Sequence, residues 1–546
     1  MKSVFLSMLA VRLRQLLFVL LTAAFMLPVL AVFASWASIG ESGSWQILRE
    51  MAQTVLPDYL GTTLILCLAV ALGVVLVGLS TAVAVTLFEF PGRRFFEWAL
   101  LLPLAMPAYV VAYAYTDFLQ FSGPLQSALR AGLSLQGRVF PEIRNTAGAA
   151  WVFTFALYPY VYLLARTALG ENAPQLMEAA RLLGAPLRRR IVEVALPMAR
   201  PAVAAGMALA LMETLADYGV SSYFGIQTFT AGIYKAWLAM DNRIAAAQLA
   251  TMLLLLVALL LRLERRAQRR LRFSATRGGR LGAAEGRAVA LRGRRMALAW
   301  LVCGLPVVMG FAAPVLFMLR PLAADWSVLS WGQFLGWSWN SLRLGAISAA
   351  LAVGLAMALA FALRSRPDVP TRLALQLVSL GYAVPGAVIV VGLLLPVAWV
   401  QAAFPASGLG YVLTATSLGL VWAYLVRFCA VALQSVQSGY ARIPQSFDDS
   451  ARMLGARGFG LLIRVHWPLL KRSTAAAALL VFVDVMKELP ATMVLRPFDS
   501  DTLAVVAYQL ARDERLGEAA LPSLALVLVG LIPVVLLSRT LRRAAG

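Results

Sequence analysis

The chain has 546 residues, of which 61% are hydrophobic and 14% charged, and its mean hydropathy is +0.79. These values exclude an ordinary soluble protein, and apolar runs of about 20 residues, the length that crosses a bilayer as a helix, recur throughout. The sequence therefore predicts an all-α polytopic membrane protein. The net charge of +22 does not indicate nucleic-acid binding, because the basic residues lie at the ends of apolar runs and in alternate loops, where topology and lipid headgroups favour them.

The apolar pattern predicts about twelve membrane spans, six in each half of the chain. The predicted spans are 13–36, 60–88, 97–118, 147–169, 199–219, 245–263, 297–319, 341–363, 374–400, 409–433, 473–492 and 519–538. An arginine-rich segment separates the halves, and the positive-inside rule predicts that this segment and both termini are cytoplasmic. We therefore expect one six-span unit at 1–263, a basic linker at 264–296 and a second six-span unit at 297–546, related as parallel repeats.

A polar loop that recurs once along the chain is stronger evidence of duplication than the apolar spans. Residues 178–184 read EAARLLG and residues 449–455 read DSARMLG, 271 positions later. Leu196-Pro197 follows the first copy and Trp467-Pro468 the second, so the interval from glycine to proline is 13 in both (197−184 and 468−455). Apolar spans resemble one another by composition alone, whereas a polar loop has no such reason to recur.

Each loop is predicted to contain a short helix, a turn and a second helical stretch. Pro174 and Pro444 suit the first helical turn, where the missing N–H is harmless. Gly184 and Gly455 suit the left-handed position that ends a helix. The alanines of the motif leave a face that another protein can approach closely, and the prolines after the loop mark the entry to the next span.

These loops resemble the EAA loop of ABC importer permeases, whose consensus is E-A-A, three residues, G, nine residues and I-x-L-P. Val194 and Val465 stand at the isoleucine position, and the second copy departs from the pattern at Asp449-Ser450 and Trp467. The resemblance implies that loops 174–197 and 445–468 couple the chain to ATPase subunits. The coupling residues that it implies are Glu178, Ala179, Ala180, Gly184, Leu196, Pro197, Asp449, Ser450, Ala451, Gly455 and Pro468.

The same resemblance implies the partners. They are a cytoplasmic ABC ATPase dimer, which carries ATP and Mg, and a periplasmic substrate-binding protein, besides membrane lipid. The chain has no G-x-x-x-x-G-K-[ST] sequence. We therefore expect a translocation subunit that is not an enzyme and has no cofactor of its own.

Ionisable residues follow each loop at the end of a predicted span, and such residues are functional candidates by default. The candidates for the translocation path are Glu213, Asp217, Tyr218, Asp484, Lys487 and Glu488. A structural pair of Lys487 with a carboxylate is the alternative for Glu213 and Asp484. The phrases LADYGVSSYFG and DVMKELPAT resemble the fused permeases of ferric iron importers, and Fe³⁺ prefers carboxylate and phenolate oxygens. A resident metal site is not expected, because His466 is the one histidine.

Several other functions remain open. Thiamine permeases share the fused plan, and phosphonate or polyamine importers are further alternatives within the same class. An ion-coupled secondary transporter would use the intramembrane acids but leaves the duplicated loop unexplained. A membrane-embedded enzyme would need a histidine pair or a nucleophile constellation, which the sequence does not offer.

Overall fold

The computed structural model describes residues 2–38, 44–275, 289–326, 330–365, 367–456 and 458–545, and these form an almost entirely helical protein. The helices before the central linker are α1 Lys2–Ala34, α2 Ser44–Gln53, α3 Leu56–Leu87, α4 Arg93–Ala99, α5 Ala108–Leu119, α6 Pro124–Leu133, α7 Thr146–Leu182, α8 Leu187–Arg190, α9 Leu196–Ala216, α10 Gly219–Tyr223, α11 Phe229–Tyr234 and α12 Arg243–Ala275. Those after it are α13 Arg294–Val307, α14 Ala313–Ala324, α15 Trp331–Ser365, α16 Val369–Leu380, α17 Gly386–Ala403, α18 Leu409–Ala415, α19 Ser417–Tyr440, α20 Gln445–Met453, α21 Phe459–Leu461, α22 Trp467–Lys487, α23 Pro490–Leu495, α24 Leu503–Arg512 and α25 Leu516–Ala545.

Shorter elements connect these helices. The 3-10 turns are Ser35–Ser38, Leu102–Ala105, Gly381–Ala383 and Pro405–Ser407, and the π-helical segments are Ile191–Ala195, Lys235–Ala239, Val308–Ala312 and Leu462–His466. Strand β1, Phe88–Glu89, pairs in parallel with β2, Val289–Ala290, where the described part of the linker resumes. Residues 276–288 of the predicted linker lie outside the described residues.

Ten helices among the described residues are long and apolar enough to cross a membrane. An eleventh span arises if the bent pair Arg93–Ala105 and Ala108–Leu133 is counted as one. The all-α polytopic prediction is therefore confirmed. The predicted span 97–118 is not one straight helix, because its two parts meet at 90°; Pro103 and Pro107 stand near the break, where proline cannot donate a backbone hydrogen bond.

The predicted span 473–492 also differs from the helix in the structure. Helix α22 covers most of it but ends at Lys487, before the predicted boundary. Lys471, Arg472, Asp484 and Lys487 lie on this helix, which is not among the ten candidates. Charges of this kind are costly in lipid and are found where a helix faces protein or water.

The chain forms two compact units, each assembled from three segments. One comprises 1–50, 233–254 and 331–505, and the other comprises 51–232, 255–330 and 506–546. We call them unit 1 and unit 2. The predicted units 1–263 and 297–546 describe a duplication of sequence. Compact units in space do not test a duplication, so the predicted division stays a prediction.

Unit 2 is built around helices α3, α7 and α9, which pack against one another. Two glycines permit this close approach. A Cβ at Gly78 of α3 would lie 2.8 Å from the carbonyl oxygen of Tyr158, and one at Gly206 of α9 would lie 2.6 Å from the Cα of Val161. Small residues at helix contacts are what drives helix association in lipid, because dispersion contacts replace the hydrophobic effect there.

Unit 1 repeats the arrangement with α15, α19 and α22. Gly439 of α19 lies against Ser473 of α22, whose Oγ would be 2.7 Å from an added Cβ. Helix α1 packs on α17, where Gly392 approaches the backbone of Pro28 so closely that a Cβ could not be accommodated. Each unit thus presents a packed triad of helices, and the recurring polar loop leads into the third helix of each triad.

Candidate coupling loops and the broken helices that follow them

The first loop begins inside a membrane helix. Helix α7 continues from Thr146 to Leu182 without interruption and so carries residues 178–182 as its last turn. Gly184 follows with φ of 80°. Its N–H donates to the carbonyl of Arg181 at 3.0 Å, and the N–H of Ala185 donates to the carbonyl of Ala180 at 2.9 Å. These two bonds are the Schellman pattern that satisfies the last carbonyls of a helix.

The second loop ends in the same way. Gly455 has φ of 87°, its N–H donates to Arg452 at 3.0 Å, and the N–H of Ala456 donates to Ala451 at 2.9 Å. The left-handed conformation predicted for both glycines is confirmed. The two loops therefore turn the chain by the same geometry, 271 residues apart.

The loops differ in how their helices start. In the second copy, Pro444 has ψ of 148° and precedes α20, so a short separate helix is present there. In the first copy the prediction of a separate short helix is wrong, because position 174 lies within α7 rather than in a first turn. An internal proline removes one backbone hydrogen bond of a helix. Helix α7 is nevertheless continuous through this position.

Each turn exposes two apolar side chains that were not among the predicted coupling residues. Leu182 is 82% exposed and Leu183 88%, and Met453 and Leu454 are each 89% exposed. They occupy matching positions, 271 residues apart. The available sequence signal was an apolar pair immediately before the glycine of a polar loop. We call these four residues the apolar tips.

The remaining motif residues lie around the tips. Glu178 pairs with Arg181 at 3.6 Å, and Asp449 pairs with Arg452 at 3.4 Å, both on the surface. Exposed pairs of this kind contribute little to stability, so the charges are available to another surface. Ala179 and Ser450 are exposed, and Ala180 is half-buried. Ala451 is buried, so it does not belong to the bare face expected of the alanines.

Both loops then enter a π-helical segment. The N–H of Leu196 donates to the carbonyl of Ile191, and the N–H of Trp467 donates to that of Leu462, five residues back in each case. Pro197 and Pro468 come next. A proline clashes with the carbonyl four residues earlier in a regular helix, and a wider π turn relieves that clash. The prolines thus mark a widened turn within a continuous helical path and not an interruption.

The helices that follow are broken at matching positions. Helix α9 ends at Ala216, and the Asp217 carboxylate accepts from the N–H of Val220 at 2.8 Å, where α10 begins. Helix α22 ends at Lys487, and the Glu488 carboxylate accepts from the N–H groups of Ala491 and Thr492, each at 2.9 Å. These acids satisfy the first N–H groups of the next helical segment.

Glu488 carries an additional ionic contact. It is buried, and its Oε1 lies 3.3 Å from Nη1 of Arg427, within unit 1. Asp217 is half-buried, and Tyr218, the next residue, is buried. Two of the predicted path residues therefore have a structural role as helix caps, whatever further role they have.

Glu213 and Asp484 lie about one turn before these breaks. Both side chains are half-buried, as is that of Lys487 at the end of α22. Among the described residues, His, Cys, Asp and Glu side chains form no group of three that could hold a metal ion. The pathway assignment of these residues and the coupling assignment of the loops stay predictions.

The sequence is similar to known transport proteins in the region of the first loop. Residues 74–273 match the family model described as "Binding-protein-dependent transport system inner membrane component". This region contains the whole first loop and the broken helix after it. It ends before the second loop, which the family match does not include.

Similarity to individual proteins extends further along the chain. The "Fe(3+)-transport system permease protein FbpB 2" of Haemophilus influenzae is 24% identical over 530 residues, covering 96% of this chain and 97% of that protein. The "Probable ABC transporter permease protein y4fN" of Sinorhizobium fredii is 25% identical, with 94% and 93% covered. The "Sulfate transport system permease protein CysT" of Escherichia coli is 28% identical over 38% of this chain and 70% of its own length. The resemblance that the loops indicated is thereby confirmed: residues 74–273 of this multi-pass helical membrane protein match the inner membrane component of binding-protein-dependent transport systems, and nearly the whole chain is similar to a ferric transport permease and a probable ABC transporter permease.

Proposed function

We propose that the chain is the translocation subunit of an ATP-driven importer and that both of its recurring loops dock on a cytoplasmic ATPase dimer. The observation that carries the proposal is the pair of apolar tips, Leu182-Leu183 and Met453-Leu454, exposed on identical left-handed turns. All four lie outside the candidate membrane spans, and large apolar side chains exposed to water are unfavourable unless a partner covers them. Two equivalent tips in one chain fit a partner with two equivalent grooves.

The proposal places both termini and both loops on the cytoplasmic side of a bacterial inner membrane. Arg188, Arg189 and Arg190 follow the first tip, and Lys471 and Arg472 follow the second. Positive charge next to a span favours the cytoplasmic side. A periplasmic binding protein then delivers substrate to the opposite face.

Ferric iron is the substrate that we propose. The similarity to the ferric permease covers both halves of the chain, whereas the similarity to the sulfate permease covers 38% of it. Carboxylate and phenol oxygens from Glu213, Asp217 and Tyr218 suit a hard trivalent ion as cargo. Thiamine, phosphonate and polyamine importers remain alternatives of the same class.

Mechanically, each loop would connect an ATPase contact to a packed triad, the first loop through two helices of its triad and the second through α22. In unit 2 the first tip is the end of α7, and the chain then returns through the π segment into α9. In unit 1 the second tip connects α20 to α22. ATP and Mg bound by the partner would supply the energy. This chain's own residues receive the motion and pass it to the broken helices beyond.

Reconstitution tests the proposal. The purified chain would be placed in liposomes with its ATPase and ferric-loaded binding protein, and uptake of radioactive iron would be followed. We expect uptake that requires ATP and a hydrolysis-competent ATPase and that is insensitive to a protonophore. Uptake that follows a proton gradient and ignores ATP would identify an ion-coupled transporter and overturn the proposal. ATP-dependent uptake of sulfate or thiamine, but not iron, would overturn the substrate alone.

A further inference from the structure

The second loop is fastened by a buried group of polar side chains within unit 1. His466, in the π segment, is fully buried, and its Nε2 lies 3.0 Å from Oδ1 of Asp448 on α20. Its Nδ1 lies 3.2 Å from the hydroxyl of Tyr440, the last residue of α19. Asp448 in turn faces Arg364 near the end of α15. Four separate elements thus meet through four side chains, which we call the polar lock.

Arg364 is the centre of the polar lock. Its Nε donates to Oδ2 of Asp448 at 2.8 Å and its Nη2 to Oδ1 at 3.0 Å, a bidentate pair. The remaining donors bind the carbonyls of Tyr440 at 3.3 Å, Ile443 at 2.9 Å and Pro444 at 2.9 Å. A guanidinium has five N–H groups, and all five have an acceptor here. The side chain therefore adds hydrogen bonds to three backbone carbonyls at the break between α19 and α20.

The electrostatics agree with a well-formed pair. Burial alone would raise the pKa of the Asp448 carboxyl, but the hydrogen bonds from Arg364 and His466 outweigh burial and hold that pKa below its usual value. Bidentate pairs between arginine and a carboxylate fix direction as well as distance. Removing one member of a buried pair leaves the other uncompensated, which is strongly destabilising.

The first half of the chain has apolar residues at three of the four positions that match the polar lock, and the fourth, position 93 (364−271), is an arginine that pairs with Glu89 and Glu97. Subtracting 271 from 440, 448 and 466 gives Leu169, Met177 and Ala195, and all three are buried. The first loop needs no polar fastening, because α7 runs unbroken into it. The two loops are therefore attached by different physical means. The first loop is the end of the continuous helix α7. The second loop contains the separate helix α20, which the polar lock holds next to the end of α19.

We propose that Arg364, Asp448, His466 and Tyr440 are positioning residues for coupling and that they make α20 move as one body with the α15–α19–α22 triad. This proposal rests on the proposed function. Without the polar lock, residues 441–444 become a hinge, and motion of the second tip no longer reaches α22. The first loop does not depend on the polar lock. Loss of the polar lock should therefore uncouple the second loop and leave the first loop coupled.

Hydrogen exchange on the full-length chain in nanodiscs, without partners, tests the lock itself. Asp448→Asn should speed amide exchange in α20 by about tenfold or more. Asp449→Asn is the matched control, because it removes the adjacent carboxylate, which is exposed. It should leave exchange in α20 unchanged, and residues 176–182 should be unaffected by either variant. Equal exchange in the two variants would overturn the lock.

A second variant protects the test against a failure to fold. Replacing a buried ion pair by apolar residues is often neutral for stability, so Arg364→Met with Asp448→Met should fold; methionine is also the residue at position 177. Because the carbonyl of Ile443 loses its donor and those of Tyr440 and Pro444 each lose one of two, α20 should still exchange fast. Slow exchange in this double variant would contradict the assigned role of Arg364.

Coupling is then measured with the partners added. Asp448→Asn and the double variant should retain ATPase binding but transport several-fold fewer substrate ions per ATP hydrolysed. Fast exchange with an unchanged ratio would show a purely structural lock and overturn the positioning role. A wild-type chain that shows no ATP-dependent uptake would refute the proposed function, while the exchange data would still decide whether the lock exists.

Discussion

Asp217 and Glu488, 271 residues apart, each accept a hydrogen bond from the backbone N–H three residues further on, at 2.8 Å and 2.9 Å. In both halves a carboxylate thus begins a new helical segment immediately after a long helix ends. A break at that place needs such a cap, because the first N–H groups of a helix have no partner within it. The two acids are equivalent in position but differ in surroundings, since Glu488 also faces Arg427.

This difference predicts unequal effects on stability. Asp217→Asn should cost at most about 1 kcal/mol, because asparagine is as good a cap as aspartate. Glu488→Gln should cost roughly 3 kcal/mol, because it removes a buried negative charge that faces the half-buried guanidinium of Arg427. Thermal unfolding of each variant in the same detergent measures both values. Equal losses would show that the ion pair with Arg427 adds nothing to the cap.

Replacing either left-handed glycine should strain the backbone without causing a steric clash. A Cβ at Gly184 or Gly455 would meet nothing within 4 Å, so substitution there strains only the turn, by about 1–2 kcal/mol. Gly184→Val or Gly455→Val should weaken ATPase binding by about 5- to 30-fold. Asparagine tolerates this conformation, so the Gly→Asn variants serve as controls and should bind nearly normally. Titration of labelled ATPase onto the chain in nanodiscs provides the measurement.

The apolar tips predict a hydrophobic contact with the partner. Replacing Leu182 and Leu183 by serine, or Met453 and Leu454 by serine, should reduce ATPase affinity by about tenfold or more, given roughly 1.5–3 kcal/mol for each buried large side chain. Val369→Ser is the control, because Val369 is 68% exposed but lies on α16, outside both loops. If all three variants bind alike, the tips are not the docking surface.

Glu213 and Asp484 predict an effect on transport. If each side chain contacts cargo in the path, Glu213→Gln and Asp484→Asn should slow iron uptake by about tenfold, the equivalent of one charge-assisted contact. ATPase binding should be unchanged, which separates these variants from those in the loops. Normal uptake kinetics in both variants would support the structural pairing of a carboxylate with Lys487 instead.

Much of this molecule could be predicted from its sequence because two signals are local. Long apolar runs define membrane helices, and a glycine directly after a polar helical stretch predicts a left-handed turn, as Gly184 and Gly455 have. The loop spacing was equally local, since it required only a comparison of residues 178–197 with 449–468.

The features that could not be predicted depend on tertiary contacts. His466 had no sequence neighbour to explain it, and its partner Asp448 is held by Arg364, 84 positions earlier in the chain. The break within 97–118 is a bend between two short helices, which an average over an apolar run conceals. The exposure of the apolar tips likewise follows from where the helices end.

The π segments Ile191–Ala195 and Leu462–His466 shift the angular phase of everything beyond them. One extra residue in a turn rotates later side chains by about 100°, since 3.6 residues complete a regular turn. A helical wheel that starts before the π segment, at Arg190 or Leu461, therefore places Glu213 and Asp484 at the wrong angle around the helix axis. Both halves have the same angular shift, so side chains at matching positions of α9 and α22 are shifted equally. Spin labels or cross-links on these two helices should be laid out by counting from Leu196 and Trp467.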